Sequence, residues 1–263
     1  MSAHASMDAA RIAGLAQAGA DVRVEVVAQT GSTNADLLAR APGLAGPLLL
    51  VAEHQTAGRG RAGRSWLSEP GNSLTFSLAW RIDGGPARLT GLPLAIGTAL
   101  AETLARLGQP VALKWPNDVL KDGDKLAGIL VETTAAPDGA TWAVIGVGLN
   151  LVMPDELEAR IGRPVAAMPW LARMDRDALL AALLDGLAGA LRAFERGGFA
   201  AFSARWNGLH AYQGRPVAIL DRGAVLHEGL AAGVDDAGRL LLDTDAGRIA
   251  IVAGDVSLRP RET

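Results

Sequence analysis

Three glycines and three arginines alternate in one short segment of the chain, Gln55-Thr-Ala-Gly-Arg-Gly-Arg-Ala-Gly-Arg-Ser-Trp66. Glycine permits positive φ angles and a close approach of the backbone to a ligand, so Gly58, Gly60 and Gly63 allow both. Arginine supplies a permanent charge and forked N–H donors that suit carboxylate or phosphate. The segment therefore predicts an anion-binding loop. A solvent-exposed loop kept soluble by arginine has the same composition, and spacing alone does not decide between the two.

The spacing of these glycines also matches the dinucleotide-binding fingerprint, with Asp83 about 20 residues further on. In that fold the glycines open a helix, whereas here Pro70 and Gly71 follow the loop and lead into an alternating, strand-like run. A Gly-x-x-x-x-Gly-Lys-Ser/Thr phosphate-binding loop does not occur in the sequence. We therefore exclude both nucleotide-binding motifs.

A second segment, Lys114-Trp-Pro-Asn-Asp118, is followed by Lys125-Leu-Ala-Gly-Ile-Leu-Val-Glu132. Because proline cannot continue a central strand, we expect Asn117 and Asp118 in a loop at the strand's mouth, where functional side chains concentrate. An Asn-Asp turn beside a surface lysine is the alternative that spacing leaves open.

A third segment, Gly146-Val-Gly-Leu-Asn150, places two glycines inside an apolar run. Glycines within a strand indicate either a bulge or a group that approaches the backbone closely. Asn150 offers a donor and an acceptor at the end of this run.

Composition limits the classes of function. With 263 residues, 49% of them hydrophobic, the chain can form one large domain with a small companion. A net charge of −3 gives no general attraction to nucleic acid, so we expect no DNA binding. Cysteine is absent and the four histidines are scattered, so any metal is expected to arrive with the substrate. No run approaches the ~18 apolar residues of a membrane span, and we expect a cytoplasmic protein that does not bind membranes.

Hydrophobic spacing predicts the elements that must position these segments. The predicted strands are Val22–Val27, Leu48–Ala52, Leu74–Trp80, Val111–Trp115, Gly128–Glu132 and Trp142–Leu149. The predicted helices are 8–18, one capped by Thr33, one from Leu89 to Leu107 before Gly108, and one from a cap at Asp177 to Phe194. Alternation in the third strand predicts a single buried face. The result is a mixed α+β layer.

Beyond Gln213 the pattern changes to short strand-like runs separated by Gly and Asp turns. The runs are Pro216–Leu220, Val225–Leu230, Leu240–Leu242 and Ile249–Val252. They predict a small β-barrel of about 50 residues. The predicted division is an N-terminal extension (1–21), a main domain (22–212) and the barrel (213–263).

Together these segments resemble the biotin protein ligases in order, spacing and residue identity, and Gly31-Ser-Thr-Asn34 adds a fourth match. The resemblance covers about residues 24–260 and extends to Gly254-Asp-Val-Ser-Leu258 in the predicted barrel. It implies a class II synthetase-like catalytic domain, with a mixed sheet and helices on one face, followed by an SH3-like barrel. Two positions depart from the family pattern: Ala62 replaces a frequent arginine, and Ala127 replaces a frequent glycine. Some members carry an N-terminal DNA-binding domain, for which the roughly 20 residues before the first strand are too few, so we expect no repressor role.

The resemblance implies ATP-dependent formation of biotinyl-5′-AMP, with Mg²⁺, followed by transfer to a lysine of a biotin carboxyl carrier protein. The residues that it assigns to catalysis are Lys125, Asp118 and Arg59. Those that it assigns to biotin are Ser32, Thr33, Asn34, Gln55, Gly58, Arg59, Gly60, Arg61, Lys125, Gly128 and Gly148. Those that it assigns to ATP and the adenylate are Arg61, Arg64, Trp66, Asn117, Lys125 and Asn150, with Mg²⁺ near Asn117 and Asn150. Neutral side chains such as Ser32, Thr33 and Gln55 suit the uncharged ureido ring.

Two other functions remain open at this stage. A lipoate or octanoate ligase performs the same adenylation on a related fold, and a non-catalytic biotin sensor would use the pocket for binding only. Lys125 and Asp118 together argue against the sensor, which has no use for a carboxylate that orients an amine. Exposed strand edges make a homodimer possible.

Overall fold

A seven-stranded sheet forms the centre of the main domain in the computed structural model, which describes residues 6–221, 223–254 and 256–260. The strands are β1 Arg23–Thr30, β2 Leu48–Gln55, β3 Ser73–Ile82, β4 Ala112–Lys114, β5 Asp118–Lys121, β6 Asp124–Ala135 and β7 Thr141–Asn150. Their order is β1-β2-β3-β7-β6-β5-β4. The β1–β2 pair is parallel and the other pairs are antiparallel. This mixed sheet confirms the predicted α+β class.

Helices cover the sheet. In the described part of the chain they are α1 Ala9–Leu15, α2 Thr33–Arg40, α3 Leu92–Arg106, α4 Asp155–Ile161, α5 Arg176–Gly197 and α6 Ser203–Gly208. The apolar sides of α1, α3 and α5 join one large core with Leu49, Val51 and Phe76 of the sheet. No helix within the described ranges combines the length and the apolar character that crossing a membrane requires.

The other face of the sheet carries α2, which makes a second, smaller core. Leu37 of this helix packs with Leu50, Ala79 and Val144 from three neighbouring strands. The long helices thus lie on one face, as expected, while one short helix lies on the other. This helix brings the Ser-Thr-Asn segment over the centre of the sheet.

Strand β3 is buried on both faces, so the prediction of a single buried face was wrong. Thr75, Ser77 and Ala79 alternate with the apolar residues, yet their exposure is 2% or less. The reason is that α2 covers the face to which these three side chains point. Small and polar residues on a strand therefore did not mark a solvent face here.

Three helix starts differ from the predicted ones. The side chain of Ser32, not Thr33, caps α2, and that of Asp175, not Asp177, caps α5 by accepting from two backbone N–H groups. Helix α3 begins three residues after Leu89, because Gly91 has a left-handed φ of 79° and interrupts the helical path. In each case the conformation of the loop before the helix decides which residue is the N-cap.

A hairpin that the sequence did not predict follows the Trp115-Pro116 peptide, which is cis. Asp118 begins the short strand β5 instead of lying in a loop, and Asn117 remains in the turn before it. The hairpin turns through Asp122 and Gly123, with φ angles of 52° and 95°. It leads directly into β6, so Asp118 lies beside Gly128 in the sheet.

Five antiparallel strands form the C-terminal unit and confirm the predicted barrel-like domain. They are β8 Pro216–Asp221, β9 Ala224–Val234, β10 Leu240–Thr244, β11 Gly247–Ile251 and β12 Val256–Pro260, in the order β11-β10-β9-β8-β12. Side chains of the main domain contact this unit: among them, the Trp115 indole N–H donates to the Gly238 carbonyl at 3.1 Å, and Asn207 exchanges two hydrogen bonds with the backbone of Val234. The barrel therefore has a defined position beside the Lys114–Asp118 segment.

Candidate active site

A cleft over the centre of the large sheet brings together most of the residues predicted to bind biotin. It holds about 460 Å³ including its open mouth, which is within the range of small-molecule sites. Its lining consists of Ser32, Thr33 and Asn34 from the start of α2, Gln55 from β2, Arg59, Gly60, Arg61 and Trp66 from the glycine-arginine loop, Phe76 and Ser77 from β3, Asn117, Lys125, Gly128, Ile129 and Leu130, and Gly146, Val147 and Gly148 from β7. We call it the first cleft.

One wall of the first cleft is a chain of neutral polar side chains. The backbone N–H of Thr33 donates to Gln55 Oε1 at 2.8 Å, and the hydroxyls of Thr33 and Ser77 lie 2.7 Å apart. Ser77 in turn donates to Asn34 Oδ1 at 2.6 Å. All four residues are at most 8% exposed. A buried wall with fixed donors and acceptors suits an uncharged polar head group.

The glycines of β6 and β7 make room for side chains of the chain itself. A Cβ atom at Gly148 would overlap the indole of Trp66, and one at Gly146 would overlap the amide of Asn34. At Gly128 it would lie 3.0 Å from Lys125 Nζ. The close approach that the glycines predicted is therefore present, and Trp66 and Asn34 are among the groups that make it.

Only one of the three glycines in the glycine-arginine loop has a positive φ. A positive φ occurs at Gly63 (69°) and at Ala62 (52°), but not at Gly58 or Gly60. Gly58 instead packs against the carbonyl of Trp66, which leaves no space for a Cβ, and it does not line the first cleft. Of the three glycines that allow a positive φ, only Gly63 adopts one, because the backbone of Gly58 and of Gly60 pairs with the other side of the loop.

Two arginines of this loop are held at the mouth of the cleft. Arg59 forms an ion pair with Glu132 of β6, and Arg61 donates to Asn117 Oδ1 at 3.0 Å and to the carbonyl of Gly254 in the barrel. The loop therefore contacts both the sheet and the C-terminal unit.

A second cleft adjoins the first and is rich in cations. Its lining comprises Gly60, Arg61, Arg64, Ser65 and Trp66, then Lys114 to Asp118, Lys125, Arg163, and Val256 to Arg259 of β12. Lys125 lines both clefts, and its Nζ lies 2.5 Å from Asp118 Oδ1, with both side chains about one-fifth exposed (19% and 17%). The ammonium also lies 5.9 Å from the centroid of a Trp66 ring. A molecule with a neutral end and an anionic end fits such a pair of clefts.

Lys114 is a partly buried cation of the second cleft with a shifted pKa. Burial lowers the pKa of its ammonium from 10.5 to about 8; the nearby Asp118 opposes this change, while Arg259, Lys125 and Arg163 add to it. Lys114 belongs to a predicted motif but was not among the residues predicted to bind a substrate. Arg163 and Arg259 were not predicted, because they lie far apart in the chain and carry no local motif.

The two asparagines predicted near phosphates and Mg²⁺ have backbone partners. Asn117 Nδ2 donates to the carbonyl of Ile129 at 2.8 Å, and Asn150 Nδ2 donates to that of Ala166 at 3.0 Å. Asn150 lines neither cleft and borders an open recess beside Arg64 and Arg163. Within the described ranges, no three His, Cys, Asp or Glu residues group together to hold a metal ion.

The chain matches two family models. Residues 26–150 match the Biotin/lipoate A/B protein ligase family, and residues 212–259 match the Biotin protein ligase C terminal domain. It is 39% identical over 246 residues to the bifunctional ligase/repressor BirA of Escherichia coli, covering 91% of this chain and 75% of that protein. The chain belongs to the biotin protein ligase family.

Other family members agree with this assignment. The biotin–[acetyl-CoA-carboxylase] ligase of Paracoccus denitrificans is 35% identical over 238 residues, which are 88% of this chain and 98% of that protein. The structure of the Aquifex aeolicus biotin protein ligase in complex with biotin and ATP matches with a TM-score of 0.75 at 28% identity. That match covers 90% of this chain and 99% of the Aquifex chain. The mixed sheet and the C-terminal barrel are thus the biotin protein ligase fold.

Proposed function

We propose that this chain is an ATP-dependent biotin protein ligase, which activates biotin as biotinyl-5′-AMP and transfers it to one lysine of a biotin carboxyl carrier domain. The observation that carries the proposal is the position of Lys125, whose side chain borders both the first cleft, with its wall of neutral polar side chains, and the cationic second cleft. The names of the relatives and the substrates in the Aquifex structure support the choice of biotin and ATP.

The first step overcomes the low reactivity of a free carboxylate toward an amine. A carboxylate oxygen of biotin attacks the α-phosphorus of ATP, the bond from this phosphorus to the oxygen bridging to the β-phosphate breaks, and pyrophosphate leaves. In the proposal Lys125 binds the carboxylate and then the acyl-phosphate oxygen, since an ammonium on a flexible stem can follow both. Arg59 and Arg61 cover the reacting groups, and Arg64 faces the departing phosphates.

The second step transfers the acyl group. The ε-amine of the carrier lysine attacks the acyl carbon, the bond from this carbon to the phosphate oxygen breaks, and AMP leaves. Asp118 is the carboxylate proposed to orient this amine or to accept its proton, because it pairs with Lys125, the residue proposed to bind the acyl-phosphate oxygen.

The cationic cleft extends the proposed ATP site beyond the residues expected from the sequence. Lys114, Arg163 and Arg259 add positive charge, and the last of these belongs to the barrel. Mg²⁺ carried by ATP would offset phosphate charge; of the two asparagines predicted near it, Asn117 lines the second cleft, where its Oδ1 accepts from Arg61, and Asn150 does not. Trp66 borders both clefts. Its packing against adenine stays a prediction.

The rival substrates are lipoate and octanoate, whose ligases share the matched family. The wall of Thr33, Ser77, Asn34 and Gln55 favours biotin, because a hydrocarbon or dithiolane end would leave these buried groups without a ligand to bond. A non-catalytic biotin sensor would not need the Lys125–Asp118 pair at the boundary of the two clefts.

Exchange of labelled pyrophosphate into ATP tests the activation step, with biotin, lipoate and octanoate run in parallel. We expect exchange with biotin alone, its loss in Lys125→Ala, and its retention in the matched control Lys121→Ala, a lysine of β5 that lines neither cleft. Exchange with the other two acids would assign the chain to the lipoate branch. Biotin binding without exchange would favour the sensor.

Closure of the glycine-arginine loop over the adenylate is a second part of the proposal, since it would keep water from the anhydride. Limited trypsin digestion tests it: cleavage within Arg59–Arg64 is expected to slow when biotin and ATP are added together. A cleavage rate indifferent to both ligands would contradict closure.

The setting of the reaction follows from its substrates. In this proposal the reaction takes place in the cytoplasm, where both ATP and an acceptor protein are available. Strand β1 forms one edge of the large sheet, so dimerisation through an edge stays a prediction; sedimentation with and without biotin and ATP tests it.

A further inference from the structure

One carboxylate, that of Glu132 on β6, joins the glycine-arginine loop to the helix that carries the Ser-Thr-Asn segment. Its Oε1 accepts from the guanidinium of Arg59, and its Oε2 accepts from Asn34 Nδ2 at 2.9 Å. The Glu132 side chain is 22% exposed and that of Arg59 is 47% exposed, so the pair lies at the rim of the first cleft. Glu132 ends the Lys125–Glu132 segment and was not among the predicted site residues.

The contact continues into the polar wall of the cleft. Asn34 accepts from Ser77, the hydroxyl of Ser77 lies 2.7 Å from that of Thr33, and the N–H of Thr33 donates to Gln55. An unbroken series of hydrogen bonds thus leads from the floor of the cleft to Arg59 in the loop. Because the inner members are buried, they hold their positions more firmly than surface groups do.

Asn34 has little freedom to release Glu132. Its second donor contact is to the Leu130 carbonyl at 3.3 Å, and the absent side chain of Gly146 leaves just enough space for its amide. The Oε2 side of Glu132 is therefore anchored, whereas the Oε1 side binds an arginine of the loop. Such a carboxylate acts as a fixed post for a movable partner.

We propose that Glu132 is a positioning residue that fastens the glycine-arginine loop to the head-group wall and so retains the acyl-adenylate in the clefts. This inference rests on the proposed ligase function and concerns the same site.

The chemistry makes loss of the fastening visible. If the loop opens after activation, water attacks the acyl carbon, the bond to the phosphate oxygen breaks, and biotin and AMP form without transfer. The enzyme would then consume ATP faster than it labels its carrier. The ratio of AMP formed to biotin transferred therefore measures how well the loop is held, whereas a general loss of folded enzyme lowers both and leaves the ratio unchanged.

Glu132→Gln is the informative variant, because its amide oxygen can still accept from Asn34 while the charged acceptor for Arg59 is lost. We expect the ratio of AMP to transferred biotin to rise about fivefold, as suits a half-exposed ion pair. Glu102→Gln is the matched control: Glu102 pairs with Arg205 at 3.0 Å, at similar exposure, away from both clefts. Its ratio is expected to equal that of the wild type.

Arg59→Gln breaks the same contact from the exposed side and serves if Glu132→Gln folds poorly. In the double variant, Glu132→Gln is expected to add nothing to the ratio set by Arg59→Gln. An unchanged ratio in Glu132→Gln, or its full effect in the absence of Arg59, would overturn the proposal.

A readout that does not depend on the reaction separates this inference from the proposed function. Trypsin cleavage at Arg59–Arg64 in the protein without substrates is expected to be about fivefold faster in Glu132→Gln than in the wild type or in Glu102→Gln. If the wild type made no AMP from biotin, the ligase proposal would fail while the cleavage rates still tested the fastening. Equal cleavage rates would refute the fastening whatever the activity.

Discussion

Burial of the charged Lys114 ammonium should lower the free energy of unfolding, and a neutral side chain at this position should raise it again. Burial is the main cause of its lowered pKa, and Arg259, Lys125 and Arg163 oppose the charge while Asp118 favours it. The pKa moves from 10.5 to about 8, and at ~1.4 kcal/mol for each pH unit this difference corresponds to about 3 kcal/mol. The folded protein thus carries this charge at an energetic cost that binding of a polyphosphate would repay.

The direction in which the free energy of unfolding changes with pH follows from proton binding at Lys114. Between pH 8 and 10.5 the unfolded chain keeps the proton at Lys114 and the folded protein loses it, so the free energy of unfolding rises with pH across this window. Below pH 8 the cost is present in full. Lys114→Met should therefore be more stable than the wild type by about 3 kcal/mol at pH 7, with a difference that shrinks toward zero as the pH approaches 10.5.

Urea unfolding of both proteins at pH 7, 8, 9 and 10 measures this difference. Lys121→Met is the matched control, a lysine of β5 outside both clefts, for which we expect no trend in the difference with pH. In Lys114→Met the KM for ATP should rise about tenfold, since the proposed charged hydrogen bond from Lys114 to phosphate is lost. Parallel stability curves for the wild type and Lys114→Met would refute the argument that burial of this charge is costly.

Three further predictions address the packing of the site and of the domain junction. Gly148→Ala adds a methyl group that overlaps the Trp66 indole and should raise the KM for biotin about tenfold. Gly189→Ala, whose Cβ meets nothing within 4 Å, should leave this KM unchanged, and equal effects of the two variants would contradict the packing argument. Trp115→Phe removes the indole donor to the barrel and should lower the free energy of unfolding in urea by about 1–2 kcal/mol, with a larger rise in the KM for ATP than for biotin; an effect on biotin alone would speak against it. Burial lowers the pKa of His210 from 6.5 to about 4, so between these pH values the imidazole is neutral in the folded protein and protonated in the unfolded chain. The free energy of unfolding should therefore fall as the pH drops from 6.5 to 4, and His210→Phe should lose less of it in urea titrations. An equal loss in both proteins would show that His210 does not cause the pH dependence.

Much of the fold could be predicted from hydrophobic spacing. The central strands and the two long helices are where the apolar periodicity placed them, because each must bury a continuous apolar side. Strand β5 was missed, since its four residues are too few to show a period, and its pairing with β6 is what makes it a strand. The two buried faces of β3 were missed because small polar residues look solvent-exposed until α2 is placed over them.

The candidate site shows the same division. Lys125, Gln55 and Asn117, which the resemblance assigned to the site, line the first cleft. The clefts also contain Ser77, which no motif marked, because its partners come from α2 and from another strand.

The sequence by itself determined which chemistry the chain carries: a loop of glycines and arginines, a lysine with a nearby carboxylate, and glycines within a strand. Only the tertiary structure decided how these groups work together. It placed Lys125 where two clefts meet, brought Arg259 of the barrel beside Lys114, and used one carboxylate of β6 to bind both α2 and the loop. The physical reason is range: periodicity and turn preferences act over a few residues, whereas burial, charge coupling and hydrogen bonding act between atoms that the fold alone brings into contact.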